Sequence, residues 1–371
     1  MTQEDAEALS IDDEVEDLDE INEVIPAAYS ITAYGADYPV DGLVKRLDKG
    51  DIVVPLFSVD PEDGQSTVGF QRDFVWTKPQ CDRFVESLLL GLPVPGVFLV
   101  KESTGKHLVL DGQQRLKTLQ YFYSGILKNR EFLLENVQQK WKGRSYKTLE
   151  ADDRRRLDDS IIHATIVRQD EPSDDQSSVY LIFERLNSGG IFLQPQEIRV
   201  ALYHGQFASL LNDLNLNENW RRLYGKKSAR LKDLELILRF FALFHKGDAY
   251  RRPMKEFLNK FMSENGGLKK YGEGELRALF EQTVEAVWLH IGHRAFRLKT
   301  AVNAALVDSV MVGVASRLAA GPVLESTGLR SAYDEMLNSP DFMTWVTRST
   351  ADEDFVSKRL GRARELFSAV K

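Results

Sequence analysis

The stretch KHLVLDGQQRLKTLQYFYSG, residues 106–125, constrains this chain more than any other. Residues 107–110 read as a short buried strand and Asp111-Gly112 as a tight turn. Residues 113–123 read as a helix, with Leu116, Leu119, Gln120 and Tyr123 at helical spacing. A strand that enters a helix through Asp-Gly makes a phosphate-binding geometry. Glycine lets the backbone turn sharply and come close to a ligand, while the unpaired first-turn amides and the positive end of the helix dipole favour an anion. Arg115 sits in the first turn, where a planar, bidentate guanidinium reaches the same anion. The plainer reading makes Asp111 a helix cap and leaves both glutamines and Arg115 as a solvated first turn.

Composition sets the frame for that motif. At 371 residues and 43% hydrophobic, the chain can bury a large core and is expected to form two lobes. No apolar run approaches the roughly 20 residues that span a bilayer, and the N-terminus is acidic where a signal peptide would be basic and then apolar, so a cytoplasmic location without membrane contact is expected. The single cysteine, Cys81, excludes an internal disulfide and reads as helix packing. The net charge of −8 is unevenly spread. Residues 1–25 hold 11 of the 56 acidic residues and no Lys or Arg, which leaves 48 basic against 45 acidic groups, or +3, for the rest. A mildly basic body is compatible with nucleic-acid contact without demonstrating it.

Along the chain, residues 1–28 read as an acidic, disordered tail in which Leu18, Ile21 and Val24 fall at helical spacing. Strands are expected at 30–34, 52–55, 97–101 and 161–169, and helices at 40–48, 80–90, 150–159 and 180–186, with Thr77 capping the second of these. Residues 126–180 read as a charged insertion. Arg72, on the loop before Thr77, is a second candidate anion ligand, or else a surface arginine stacked on Phe74 or Trp76. Asn187-Ser188-Gly189-Gly190 reads as a flexible turn open to a ligand, and Pro195 opens a further helix. Asn187, Ser188 and Glu197 are oxygen-bearing candidates for magnesium or a phosphate-bound water, and equally suit caps and turns. Beyond Gln206 the periodicity is helical almost throughout. Two basic clusters lie there, Arg221, Arg222, Lys226, Lys227, Arg230 and Lys232, then Arg251, Arg252 and Lys255. They are either a nucleic-acid surface or a solvated helix face. His290 and His293 lack an accompanying Glu or Cys and read as ordinary histidines rather than zinc ligands. No GxxxxGK[ST] loop is present, which excludes a P-loop enzyme at motif level.

DGQQRLKTL, together with GFQRDFVWTKPQCDRFVESLLLGLPVPGVFL (residues 69–99) and FERLNSGGIFLQPQEIRVALYHGQF (residues 183–207), resembles the N-terminal nucleotidase domain of GmrSD-type modification-dependent restriction enzymes, a domain related to the ParB and sulfiredoxin folds. The resemblance implies an α+β chain. A small mixed-sheet, ParB/sulfiredoxin-like nucleotide-binding lobe at 29–206 would precede an all-helical lobe at 207–371. It implies catalytic roles for Asp111, Gln113, Gln114 and Arg115, and nucleotide contacts from Gln71, Arg72, Gly112, Asn187, Ser188, Gly189 and Gly190. Magnesium would be held by Asp111 and Glu197. Lys226, Lys227, Arg230, Arg251 and Arg252 are the DNA-binding candidates. Multi-domain members carry a further HNH nuclease domain, and no His-rich motif here is able to house one. DNA cleavage by this chain alone is therefore not expected. Two functions stand open. One is an NTPase, a nucleoside triphosphate phosphohydrolase coupled to restriction or anti-phage defence. The other is a non-catalytic module that senses nucleotide or duplex DNA for a separately encoded nuclease.

Overall fold

A computed structural model describes residues 15–16, 30–54, 74–102, 104–171, 177–186, 194–203, 205–321 and 327–371. The chain is α+β and divides into two compact units. One is Ala28–Leu193; the other is Gln194–Lys371 together with the paired residues Val15 and Glu16.

The first unit is built on a five-stranded mixed sheet. Its strands are β1 (Ser30–Pro39), β2 (Ile52–Val53), β3 (Val97–Lys101), β4 (His107–Asp111) and β5 (Ile161–Glu171), in the order β1-β5-β3-β4-β2. β1 pairs antiparallel with β5, from Ser30 opposite Glu171 to Pro39 opposite Ile161. β5 and β3 run parallel, β3 and β4 antiparallel, and β4 and β2 parallel. Residues that alternate along each strand feed one face into the main core. Leu99, Val109, Ile162, Ala164 and Ile166 are buried there against helices α1 (Val40–Asp48), α2 (Lys78–Leu89), α3 (Gln113–Ser124) and α4 (Ala151–Asp159). On the opposite face, α5 (Ser177–Leu186) packs against β4 and β5.

Helix ends follow their local chemistry. At the start of α2, Gln80 reaches back to accept from the Thr77 amide at 2.8 Å, and proline lies in the first turn. Cys81 is fully buried, and burial pushes its thiol pKa up. The segment expected to be a charged insertion is instead part of the core. Phe132, Leu134, Trp141, Leu149 and Leu157 are buried with the sheet. Asp82, fully buried on α2, accepts from Lys78 and from the Asn136 amide at 3.0 Å and its side chain at 2.9 Å. Trp141 Nε1 donates to Asp153 at 2.7 Å. A charged surface sequence thus conceals five large apolar anchors, and the buried Asp82 of α2 helps to seat it.

The second unit is helical: α6 (Pro195–Leu202), α7 (Gln206–Leu214), α8 (Glu218–Tyr224), α9 (Lys232–Lys246), α10 (Met254–Asn265), α11 (Glu273–His290), α12 (Ala304–Ala319), α13 (Gly328–Leu337), α14 (Pro340–Thr347) and α15 (Glu353–Ser368). Helix α6 precedes Gln206 yet belongs here, because its buried Arg199 donates to Glu235 on α9 at 2.6 Å and to Asn259 on α10 at 2.9 Å. Val15 and Glu16 form a short parallel pairing with Val302 and Asn303. Leu18, Ile21 and Val24 lie outside the described residues.

At the centre of this unit, Asp308 on α12 is fully buried between two arginines. Arg239 of α9 donates to it at 2.8 Å and Arg359 of α15 at 2.9 Å. Burial alone would raise the Asp308 pKa, but the attraction of Arg239 and Arg359 outweighs it and holds the carboxyl below its ordinary 3.8. Removing the carboxylate would leave two cations buried without a counter-charge. Asp308→Ala is therefore expected to lower stability by about 3–5 kcal/mol in urea unfolding. The depressed folded pKa gives the pH sign: the contribution is complete above the unfolded value of 3.8 and is lost as pH falls through the lower folded value. Acid unfolding of the wild type should show this dependence and the variant should lack it.

Candidate functional site

Strand β4 ends on Asp111 and helix α3 begins on Gln113, so Gly112 alone connects sheet to helix. Its φ is +96°, in the left-handed region, and a Cβ at this position would lie 2.5 Å from Val97 Cγ1. Val97 opens β3 and is buried. The turn therefore demands glycine twice, once for conformation and once for space. Beside it, the β3–β4 ladder shifts register between Phe98, which pairs with Asp111, and Leu99, which pairs with Val109. Such bulges re-aim a strand end and recur beside functional sites.

Gly112 offers no side chain to cap the helix. The backbone bond from Leu116 to the Gly112 carbonyl, at 3.0 Å, is the first of the helix. The amides of Gln113, Gln114 and Arg115 thus have no intrahelical acceptor, and they lie at the positive end of the helix dipole. Arg115 Nη2 donates to Asp111 Oδ2 at 2.7 Å and to the Gly96 carbonyl at 2.9 Å. Its side chain is 15% exposed against 49% for Asp111. Arg115 Nε is buried without a hydrogen-bond partner. One guanidinium therefore ties the end of β4 to the approach of β3, with a donor to spare.

The two glutamines differ. Gln114 Oε1 accepts from the amides of Val75 at 3.1 Å and Trp76 at 3.2 Å, which fastens the segment before α2 to the motif helix. Phe74 packs edge-on against Tyr121 and Trp76 against Phe84, so neither ring is simply displayed to solvent. Gln113 has no side-chain partner among the described residues. Gln71, Arg72, Asn187, Ser188, Gly189 and Gly190 lie outside the described residues. Gly96 and Val97 escaped sequence reasoning. Their signal is the Pro-bounded LPVPGVFLV run, which was legible only as a turn into a strand.

Glu197 belongs to the helical unit and is engaged there. It accepts from the Gln194 amide at 2.5 Å at the start of α6 and pairs with Arg230 at 2.9 Å. Among the described residues no three His, Cys, Asp or Glu side chains gather as a metal site.

Two of the expected surface cations are withdrawn from solvent, Arg221 partly and Lys255 almost wholly. Arg221 pairs with the buried Asp233 at 3.0 Å, because the chain after α8 folds back to start α9, and Lys255 is 4% exposed. Arg222 pairs with Glu218 and lies over Trp288. Arg251 and Arg252 are exposed but each stands 3.9 Å from a carboxylate at the start of α15, Glu353 and Asp352. Lys226 and Lys227 are exposed and make no ion pair among the described residues.

Residues 59–204 match the family model described as the GmrSD restriction endonuclease, N-terminal domain. No curated protein matches the chain. The matched span includes the Asp111–Arg115 turn, Gly96 and the strands that position them.

The double demand on Gly112 is separable by mutation. Gly112→Ala is expected to cost about 1–3 kcal/mol, from the left-handed backbone and the Val97 contact together. Adding Val97→Ala relieves the contact and leaves the backbone cost, so the double variant should be less destabilised than the sum of the singles. A double-mutant cycle in urea measures this.

Proposed function

We propose that the chain, whose residues 59–204 match the GmrSD restriction endonuclease N-terminal domain, binds a nucleoside triphosphate at the Gly112–Arg115 turn and hydrolyses it in a restriction or anti-phage role. The observation that carries the reading is the left-handed Gly112 followed by three uncapped amides, beside a mostly buried Arg115 with an unpartnered Nε. This is an anion cradle whose donors are fixed before the ligand arrives, which is what electrostatic stabilisation of a transferring phosphoryl group requires.

Each residue then has a separable task. The amides of Gln113 and Gln114 take phosphate oxygens. Arg115 supplies charge where it develops in the transition state. Asp111, half exposed, is the carboxylate able to hold Mg2+, and a single protein carboxylate suits that ion because phosphates and water complete its shell. When bound, Mg2+ would neutralise phosphate oxygens. Gln113, with no side-chain partner among the described residues, would orient water, whereas Gln114 is committed to the 75–76 segment. Glu197, committed to Arg230 and the α6 terminus, supports the magnesium assignment less well than Asp111 does.

Nucleotide binding without turnover is favoured by one observation: the carboxylate at the turn is already paired with Arg115 and is poorly available as a base. Steady-state phosphate release decides between the readings. Wild type should turn over triphosphate with Mg2+, and Arg115→Ala should fall by on the order of a hundredfold or more. Tight binding by calorimetry with the nucleotide intact afterwards would establish the sensor instead.

For the defence role, duplex DNA and a separate nuclease are the expected partners. Lys226 and Lys227 are the cations best able to meet phosphates, since Arg230 is engaged by Glu197. Lys226→Glu/Lys227→Glu should weaken a salt-sensitive, sequence-independent gel shift without altering DNA-free nucleotide turnover. Binding that is insensitive to salt, or unchanged in the variant, assigns these lysines to a solvated surface.

A further inference from the structure

The same end of the sheet carries a second polar element. His163 on β5 lies directly opposite Asp37 on β1, and its Nδ1 is 2.8 Å from Asp37 Oδ1. A carboxylate can only accept, so Nδ1 donates to Asp37, and in the neutral form of the ring the lone pair lies on Nε2. Nε2 has no hydrogen-bond partner among the described residues, and the side chain is 60% exposed.

Two glycines fit around this histidine. A Cβ on Gly35 would lie 2.7 Å from His163 Cε1, so the bare backbone of β1 is what lets the ring settle beside Asp37. A Cβ on Gly96 would lie 2.6 Å from the His163 carbonyl oxygen. Gly96 is also the residue whose carbonyl accepts from Arg115 at 2.9 Å. The backbone of His163 therefore abuts the residue that anchors the motif arginine.

Register fixes the placement. Val97 pairs with Ala164, and Phe98 with Asp111, so His163 and the Asp111-Gly112 turn flank the start of β3 from its two sides. Two strand spacings, about 10 Å, separate them. Ile162, Ala164 and Val109 enter the main core, so His163 and Asp37 project from the opposite face, and a polyphosphate bound at the turn would have to pass over the edge at Gly96 to meet them. An exposed cross-strand pair contributes little to stability. An imidazole oriented by a carboxylate, with its other nitrogen open, has the form of a general base.

We propose that His163, oriented by Asp37, accepts the proton of the attacking water in the nucleotide site, an inference that rests on the hydrolase reading above. The water oxygen bonds to the γ-phosphorus as the bond from that phosphorus to the β–γ bridging oxygen breaks. The electron pair of the broken bond leaves on the diphosphate. The water proton passes to His163 Nε2, the resulting imidazolium faces Asp37, and its proton is later released to solvent. The products are nucleoside diphosphate, phosphate and one proton.

The test uses the full chain with Mg2+ and nucleoside triphosphate, and compares phosphate release, melting point and affinity for a nonhydrolysable triphosphate. His163→Ala should lower kcat by on the order of a hundredfold while affinity and melting point hold, and added imidazole should restore part of the rate. Asp37→Asn should lower kcat by a smaller factor with the same affinity. A wild-type kcat in His163→Ala, or a loss that imidazole does not restore, overturns the proposal and leaves the hydrolase reading intact. If His163→Ala fails to fold, His163→Gln keeps the size and the donor to Asp37, and wild-type turnover in that variant overturns the proposal. A wild-type protein that neither binds nor hydrolyses any triphosphate overturns both.

Discussion

The contact of Gly112 with Val97 governs the geometry of the first unit's site. β3 enters the sheet where β4 leaves it, so the backbone that turns into α3 must pass over the first side chain of β3. A Cβ on Gly112 would stand 2.5 Å from Val97 Cγ1, so only glycine lets the backbone pass there. Because the turn is this close, Arg115, one turn into α3, reaches back to the Gly96 carbonyl and to Asp111 at once. A wider turn would move the helix N-terminus away from β3 and separate the amides from the guanidinium. The juxtaposition of the first-turn amides with the Arg115 guanidinium is thus a consequence of antiparallel pairing at one strand boundary, not of the motif residues alone.

Charge in this protein is used inside as much as outside. Asp82 seats the 132–136 segment on α2, Asp233 gathers Asn215 and Arg221, and Asp308 binds Arg239 and Arg359 across three helices. Each buried carboxylate is matched by cations or amides, as the cost of an unpaired buried charge requires. This explains why basic residues read as surface clusters were divided by the fold. Arg221 and Arg230 stand in one sequence run, yet the first is held by Asp233 and the second by Glu197, and only the intervening lysines are left without an ion pair among the described residues.

What was legible in the sequence was whatever local spacing decides. The helix at Val40–Asp48 and the strand at Val97–Lys101 fall where periodicity puts them, and the Thr77 terminus where capping chemistry does. Asp111, Gly112 and Arg115 were legible for the same reason, since turn and first helical turn are contiguous. Long-range partners were not. His163 and Asp37 are 126 positions apart, and only the β1–β5 register makes them neighbours. The 126–160 region misled because its charges dominate its composition while Trp141, Phe132 and Leu134, spaced irregularly, carry its burial. Pattern-based reading registers amphipathic repeats and passes over solitary anchors.

The Asp111–Arg115 pair also sets how a ligand can act on the rest of the unit. An i,i+4 pair with one partner half exposed contributes little by itself. An anion with a metal ion offers each partner a stronger counter-charge, so exchange of partners at the turn has a small barrier in lost stability. Gln114 lies in the same first turn and holds the amides of Val75 and Trp76. Any shift of α3 that follows the exchange must therefore either carry that segment along or break two hydrogen bonds. A ligand changes a conformational equilibrium only by its differential affinity for the two states. Those two bonds are the side-chain link between the first turn of α3 and residues 75–76 that lead into α2.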